Sequence, residues 1–191
     1  MSIYRLLPIV AAALIPLAVA PAQTRGTGFE ITKINPGVVK TPEYQVGSYS
    51  KPGERPKDWL EVEVEFKAEP EITAELTARY FILFEGQQEV LVGEVAHVNV
   101  AKGRERRSVA YVSPSTIERM LGGKAFTAAA IRDIGVELLD RGRPVAQLGL
   151  KTKQAWWTTL PQKTGLVLNK GETPFAPLYW DRYEAIRASG R

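Results

Sequence analysis

Few side chains in this sequence have the chemistry of a catalytic base or nucleophile. His97 is the single histidine among 191 residues, and there is no cysteine. A Ser-His-Asp hydrolase needs a histidine as general base beside its nucleophile, and no G-x-S-x-G elbow accompanies His97. Because His97 alternates with apolar Ala96 and Val98, we expect it on the solvent-exposed face of a strand. The lack of cysteine also excludes thiol catalysis, zinc–thiolate sites and iron–sulfur clusters.

A row of carboxylates follows one strand. Glu61, Glu63 and Glu65 alternate with apolar residues, which places them on one face about 7 Å apart. Glycosidases hold two carboxyl groups about 5–5.5 Å or about 6.5–9.5 Å apart, so spacing alone does not exclude glycoside hydrolysis. A single row lacks two groups that flank a sugar bond from opposite sides, and a solvated face balanced by Lys67 and Arg79 is the preferred interpretation. The sequence therefore predicts a protein without catalytic residues, cofactor or metal site.

Aromatic side chains near the C-terminus could bind a partner instead. Exposed aromatic rings stack on sugar faces and anchor protein interfaces, and the candidate contacts are Trp156, Trp157, Trp180 and Tyr183. Trp156 and Trp157 are adjacent, so on a strand they must point to opposite faces. The alternative is that the C-terminal segment folds back on the sheet and covers these rings.

One stretch of the chain concentrates positive charge. Its members are Lys102, Arg104, Arg106 and Arg107, around a predicted turn at 101–104. Such a run is either a solvated hairpin tip or a patch that binds an anionic partner. The net charge of the whole chain is only +4, which does not favour nucleic acid as the partner.

Residues 1–22 have the layout of a secretory signal peptide. Arg5 supplies the positive charge, an apolar run interrupted by Pro8 and Pro16 follows, and small residues at 20–22 place the cleavage after Ala22. An uncleaved anchor is the alternative, but a spanning helix needs about 20 apolar residues. We expect an exported protein in the periplasm, on the outer membrane surface or outside the cell, with no stable membrane insertion after cleavage.

After a flexible lead-in at 23–28, residues 29–191 are predicted to form a single domain. The clearest strand runs from 59 to 67, and Pro70 is expected to end it because proline cannot donate to a sheet ladder. Residues 75–84 predict a central strand. Further strands are expected at 44–49, 89–100 and 106–112, the last two joined by the turn at 101–104.

Helix signals are weaker. Ser113 to Thr116 predicts the start of a short helix, which Gly122 and Gly123 end. Residues 128–139 could form a helix or a strand, and with the strand expected at 145–151 they are predicted to form a β-hairpin around the turn at 140–143. A final short helix is expected over 177–187.

Many short strands with frequent turns predict an all-β fold with minor α content. Immunoglobulin-like β-sandwich architecture with one or two short helices fits best, and an open sheet packed on the helices is the alternative. The C-terminal aromatic segment, residues 172–187, should matter for this core. We expect residues 175–183 to dock on the sandwich and to seal one edge or face, because buried aromatic rings stabilise a fold strongly.

Three stretches carry a family resemblance: residues 59–66 (WLEVEVEF), 142–145 (GRPV) and 173–183 (TPFAPLYWDRY). Together they resemble a small exported family of verrucomicrobial bacteria that is encoded in a type IV pilus-like gene cluster. The resemblance covers most of the mature chain and implies an immunoglobulin-like fold in the cell envelope. It implies no catalytic residues. Gly28 and Phe29 resemble a prepilin cleavage site, but 31–40 lacks the long apolar helix of a pilin subunit.

These observations favour a non-catalytic protein of the envelope or cell surface. It is expected to act in type IV pilus-like assembly or adhesion, through contacts with envelope or pilus-assembly proteins, host surface molecules or glycans. The alternative function is that of a carbohydrate-binding module that uses surface tryptophans.

Overall fold

The computed structural model describes residues 27–44, 55–179 and 181–187. The predicted signal peptide at 1–22, positions 23–26 of the lead-in and positions 45–49 of the predicted edge strand lie outside the described residues. So does Trp180. Within the described ranges, no helix has the length and apolar character that crossing a membrane requires.

The described chain is dominated by β-structure. The strands are β1 (Phe29–Lys40), β2 (Asp58–Phe84), β3 (Val90–Val112), β4 (Ile131–Asp140), β5 (Arg143–Gly149), β6 (Gln162–Thr164) and β7 (Val167–Asn169). The helix α1 spans Pro114–Leu121, and short 3-10 turns lie at Ala128–Ala130, Trp156–Thr159 and Lys170–Glu172.

The two longest strands, β2 and β3, form a hairpin that belongs to two layers. The first part of β2 pairs with β1, from Asp58 to Ala68, and its last part pairs with β4, from Leu76 to Phe84. β3 pairs with β2 along most of its length. On its other side, β3 pairs with β6 near the start of β3 and with β7 near its end. The apolar faces of the two layers enclose one core, and the architecture is an all-β sandwich with one short α-helix, which confirms the predicted fold class.

Pro70 does not end the strand, and the prediction that it does is wrong. The register of β2 on β3 shifts between Phe66 and Ala68 and again between Ala68 and Ile72. Pro70 falls in this bulged stretch, where no ladder hydrogen bond needs its missing N–H, and bulges are where sheets accept proline. The predicted turn at 101–104 is wrong for the same reason, because this stretch of β3 faces the bulges and continues. Bulges bend strands, so this region lets one hairpin serve both layers.

The structure confirms the predicted start and end of the short helix and the predicted hairpin. Helix α1 begins where Ser113 accepts a hydrogen bond from the backbone N–H of Thr116, and it ends at Gly122, whose φ is 60°. β4 and β5 form the predicted hairpin, whose turn places Arg141 and Gly142 at positive φ.

The predicted final helix over 177–187 is wrong for the described residues, which form turns and one isolated bridge between His97 and Ile186. The chain pairs with β3 there instead. The N–H of Val98 donates to the carbonyl of Ala185 (2.9 Å), and the N–H of Arg187 donates to the carbonyl of Ala96 (2.8 Å). Tyr179 at φ 49° also departs from helical geometry.

Candidate functional site

The C-terminal segment covers the middle of the β2 face that carries Glu61, Glu63 and Glu65. Glu63 is buried, whereas Glu61 and Glu65 are half-buried, so the predicted solvation is wrong at Glu63. Phe175 is buried there and stacks on the ring of Tyr111, with centroids 4.7 Å apart and an interplanar angle of 6°. It also meets Trp59 edge-on at 5.5 Å. The segment thus docks through an aromatic cluster, in the way expected from its composition.

Glu63 also binds the C-terminal segment, through charged hydrogen bonds that add to the aromatic packing. Glu63 is only 7% exposed, and its carboxylate accepts two hydrogen bonds from the guanidinium of Arg182, both at 2.8 Å. The hydroxyl of Tyr183 donates to the same carboxylate at 3.0 Å. The Arg182 bond lowers the pKa of Glu63 below its ordinary value despite the opposing effect of burial. The carboxylate is therefore charged at neutral pH, and Tyr183 serves as a structural ligand to it.

Substitutions at this ion pair should have unequal effects. Arg182→Ala should destabilise the protein by about 2 kcal/mol, because it leaves a buried carboxylate short of its main partner. Glu63→Gln should be milder, because Arg182 can turn to solvent. The double variant should lose less stability than the two single losses added together. Urea denaturation of the four proteins measures this, and strictly additive losses would contradict the coupling.

His97 is fully buried, so the prediction that it faces solvent is also wrong. Its Nε2 lies 2.7 Å from the Ser108 hydroxyl, and Tyr80 donates its hydroxyl proton to Ser108 at 2.6 Å. The Nδ1 of His97 lies 3.2 Å from the carbonyl of Glu184. A consistent chain of donors runs from Tyr80 through Ser108 to the imidazole, and then from Nδ1–H to this carbonyl.

The burial of this chain changes its acid–base behaviour. Burial lowers the pKa of His97 to about 4 and raises the pKa of Tyr80 above its ordinary range. Ser108 is 0% exposed, like His97. The hydrogen-bonded serine–histidine pair is therefore enclosed among the described residues, and it acts as a buried polar brace under the C-terminal segment.

The predicted basic patch divides between two environments. Lys102 and Arg104 are exposed, and Lys102 pairs with Glu71 at 2.7 Å. Arg106 and Arg107 are half-buried; Arg106 lies 3.5 Å from Glu184, and Arg107 lies within 4 Å of the carboxylates of Glu63, Glu65 and Glu105. The patch follows the continuous strand β3 and not a hairpin tip. Its role as a site for an anionic partner stays a prediction.

Trp156 and Trp157 lie in a 3-10 turn, so the prediction that they sit on a strand with opposite orientations is wrong. Trp157 is buried, donates its indole N–H to Glu137 at 2.9 Å and stacks on Phe81 at 5.0 Å. Gly135 makes room for it, because a Cβ there would lie 2.2 Å from the indole. Trp156 is half-buried and meets Trp157 edge-on at 5.5 Å.

Trp156 lines a cleft of about 580 Å³ at one end of the sandwich. The start of β4 and the segment after β5 supply Arg132, Asp133, Lys151 and Thr152, and the loop before β3 supplies Gln87 and Gln88. The sequence does not reveal these residues as one site, because four separate segments converge to form the cleft. The one local signal for a charged site was the pair of lysines shortly before the two tryptophans, of which Lys151 lines the cleft.

Comparisons with known proteins concern the family and the fold. A family model matches residues 20–190. The crystal structure of a protein from Akkermansia muciniphila, a verrucomicrobial bacterium, superposes with a TM-score of 0.73 at 25% sequence identity. The match covers 85% of this chain and 94% of that chain. No curated protein sequence matches.

Proposed function

The chain belongs to the family whose model matches residues 20–190, and from that premise we propose that it is a non-catalytic, exported, immunoglobulin-like protein of the cell envelope. It acts through protein–protein contacts in a type IV pilus-like assembly or in adhesion. The resemblance of its motifs to an exported verrucomicrobial family supports the location and the setting.

The observation that carries this proposal is an open sheet edge at the bend of the β2–β3 hairpin. On its outer side β3 pairs with β6 at 90–92, meets the C-terminal segment at 96–98 and pairs with β7 at 110–112. Within the described part of the chain, positions 99–106 have a strand neighbour only on the β2 side. An unpaired strand edge offers backbone donors and acceptors to an added strand, a common way in which sheets bind peptides and proteins.

Side chains at this bend suit a protein partner. Ile72, which pairs with Ala101 across the hairpin, is 69% exposed. Lys102 and Arg104 stand on the open stretch of β3 and are exposed. Charged edge residues prevent indiscriminate strand pairing, and these cations would favour an acidic partner strand.

Charge reversal tests the edge directly. The mature protein should capture pilus-assembly or other envelope proteins from envelope extracts, and Lys102→Glu with Arg104→Glu should reduce that capture by about tenfold or more, the size of a 1.4 kcal/mol effect. Lys124→Glu, at an exposed cation in the loop after α1, is the matched control. Recovery of no partner in several detergents, or equal capture by all variants, would contradict the proposal.

Export has its own test. Intact mass and N-terminal sequencing of protein from fractionated cells should show a chain that begins at Gln23, because signal peptidase is expected to cut after Ala22. Protease shaving of whole cells then separates a surface location from a periplasmic one. A full-length chain that stays in the cytoplasm would contradict export.

Glycan binding is the second candidate function, and the cleft beside Trp156 favours it. A half-buried indole in a concave site with several polar neighbours is a typical ligand-binding arrangement. The buried Trp157 serves this site only by supporting Trp156.

A further inference from the structure

We propose that the cleft beside Trp156 binds a carboxylated sugar, whose ring stacks on the indole while its carboxylate pairs with Arg132. This inference rests on the second candidate function, glycan binding, and names the class of glycan. It is carried by three features of the cleft: a braced aromatic ring, an excess of positive charge and a set of uncharged hydrogen-bonding side chains.

The aromatic ring is held before any ligand arrives. Trp157 supports Trp156 edge-on, and Trp157 is itself fixed by the carboxylate of Glu137 and by the ring of Phe81. The Thr159 hydroxyl donates to the carbonyl of Trp156 at 3.0 Å and tightens the turn that presents it. A platform that is already rigid loses little conformational entropy when a sugar face stacks on it.

The charges at the cleft favour an anion. Asp133 is occupied internally, because its carboxylate accepts the backbone N–H groups of Ile134, Lys151 and Thr152 at 2.8–3.0 Å. The amine of Lys151 donates to the carbonyl of Ile131 at 2.8 Å, so that its charge is fixed at the cleft wall.

Arg132 completes the positive field. Its side chain is exposed, and no carboxylate in the described ranges lies within ion-pair distance of it. A planar guanidinium matches a carboxylate with two parallel hydrogen bonds. Arg132 is therefore the residue that would select a carboxylated ligand over a neutral one.

Neutral polar groups around the cleft suit hydroxyl groups. Gln88 is exposed, and Gln87 uses its amide N–H on the carbonyl of Met120 (2.8 Å), which leaves its side-chain carbonyl as an acceptor. Thr152 adds a hydroxyl group, and the Thr159 hydroxyl, which donates to the carbonyl of Trp156, can still accept a hydrogen bond. The volume of about 580 Å³ falls within the range of about 300–1,000 Å³ that is typical of small-ligand sites. A sugar of one to three rings fits these properties better than an apolar ligand does.

Calorimetric titration with matched ligands tests the inference. The probes are oligosaccharides of galacturonate, glucuronate and sialate, each beside its carboxyl-reduced neutral counterpart, and a hexaglutamate peptide. We expect at least one acidic oligosaccharide to bind about tenfold or more tightly than its neutral counterpart. Arg132→Gln should abolish that preference, and Arg143→Gln, at an exposed arginine of β5, should preserve it. Trp156→Phe should weaken acidic and neutral sugars alike.

The outcomes separate this inference from the function on which it rests. If acidic and neutral sugars bound equally well, and Arg132→Gln did not change their affinities, the role of the sugar carboxylate would be contradicted while glycan binding itself would be supported. Binding of none of the sugars would overturn both. If the hexaglutamate peptide bound more tightly than every acidic oligosaccharide, a sugar ligand would be contradicted and an acidic protein segment would be indicated instead. Melting curves establish that Arg132→Gln, a change at an exposed side chain, leaves the fold intact.

Discussion

Deletion of residues 172–191 should lower the melting temperature of the mature protein by more than about 10 °C, given about 2–4 °C per kcal/mol for a domain of this size. The deletion removes Phe175 from its stack with Tyr111 and Trp59, and one buried aromatic side chain contributes about 1.5–3 kcal/mol. It also removes Arg182 and Tyr183, which leaves the carboxylate of Glu63 without its closest partners. Finally, it uncovers the imidazole of His97.

Calorimetry of the full mature chain and the truncated one measures the effect. Phe175→Ala isolates the aromatic part and should by itself account for about 3–5 kcal/mol, the usual loss for a buried phenylalanine. Tyr179→Ala is the matched control, because this ring belongs to the same segment but is 63% exposed. A truncated protein that melts at the temperature of the full chain would show that the segment contributes nothing to stability. The segment would then have to be reinterpreted as a partner-binding peptide.

Sequence periodicity predicted the inner face of the sandwich well. Leu60, Val62 and Val64 alternate strictly, and all three are fully buried. The same alternation gave the wrong environment for Glu63, which lies on the other face. Its cover comes from Arg182, 119 residues further along the chain. A local pattern shows which side chains share a face, but it does not show whether a distant segment returns to cover that face.

The strand boundaries failed for a related reason. Pro70 and the cations around Gly103 are strong local signals for a break and a turn. In the structure Gly103 lies opposite Ala68, and Pro70 falls in the register shift between Ala68 and Ile72, so both strands continue through the irregularity. A local pattern describes one strand at a time. The pairing of β2 with β3 is what shows that both strands continue. The cleft beside Trp156 could not be predicted from local patterns either, because it is formed by four segments that are separate in the sequence.

The buried imidazole leads to the second large effect: acidification from pH 7 to pH 5 should destabilise the protein by about 2 kcal/mol, or about 4–8 °C in melting temperature. Burial lowers the pKa of His97 to about 4, from an ordinary value of 6.5. Between these two values the unfolded chain binds a proton that the folded chain does not. Each pH unit below 6.5 therefore removes about 1.4 kcal/mol of stability, until the loss levels off near pH 4.

This window reports on one residue, because His97 is the only histidine of the chain and carboxylates titrate mostly below pH 5. The lowered pKa of Glu63 places its own contribution in a separate window, since that stability is present above the ordinary carboxyl pKa and is lost as the pH falls through the folded value.

His97→Gln should be less stable than the natural protein at pH 7, and its stability should change little between pH 7 and pH 5. Ser108→Ala removes the hydroxyl beside Nε2 but retains the imidazole, so it should be destabilised and keep the steep pH dependence. Urea denaturation at half-unit pH steps distinguishes the variants, and an equal slope in His97→Gln and the natural protein would show that His97 is not the group that titrates.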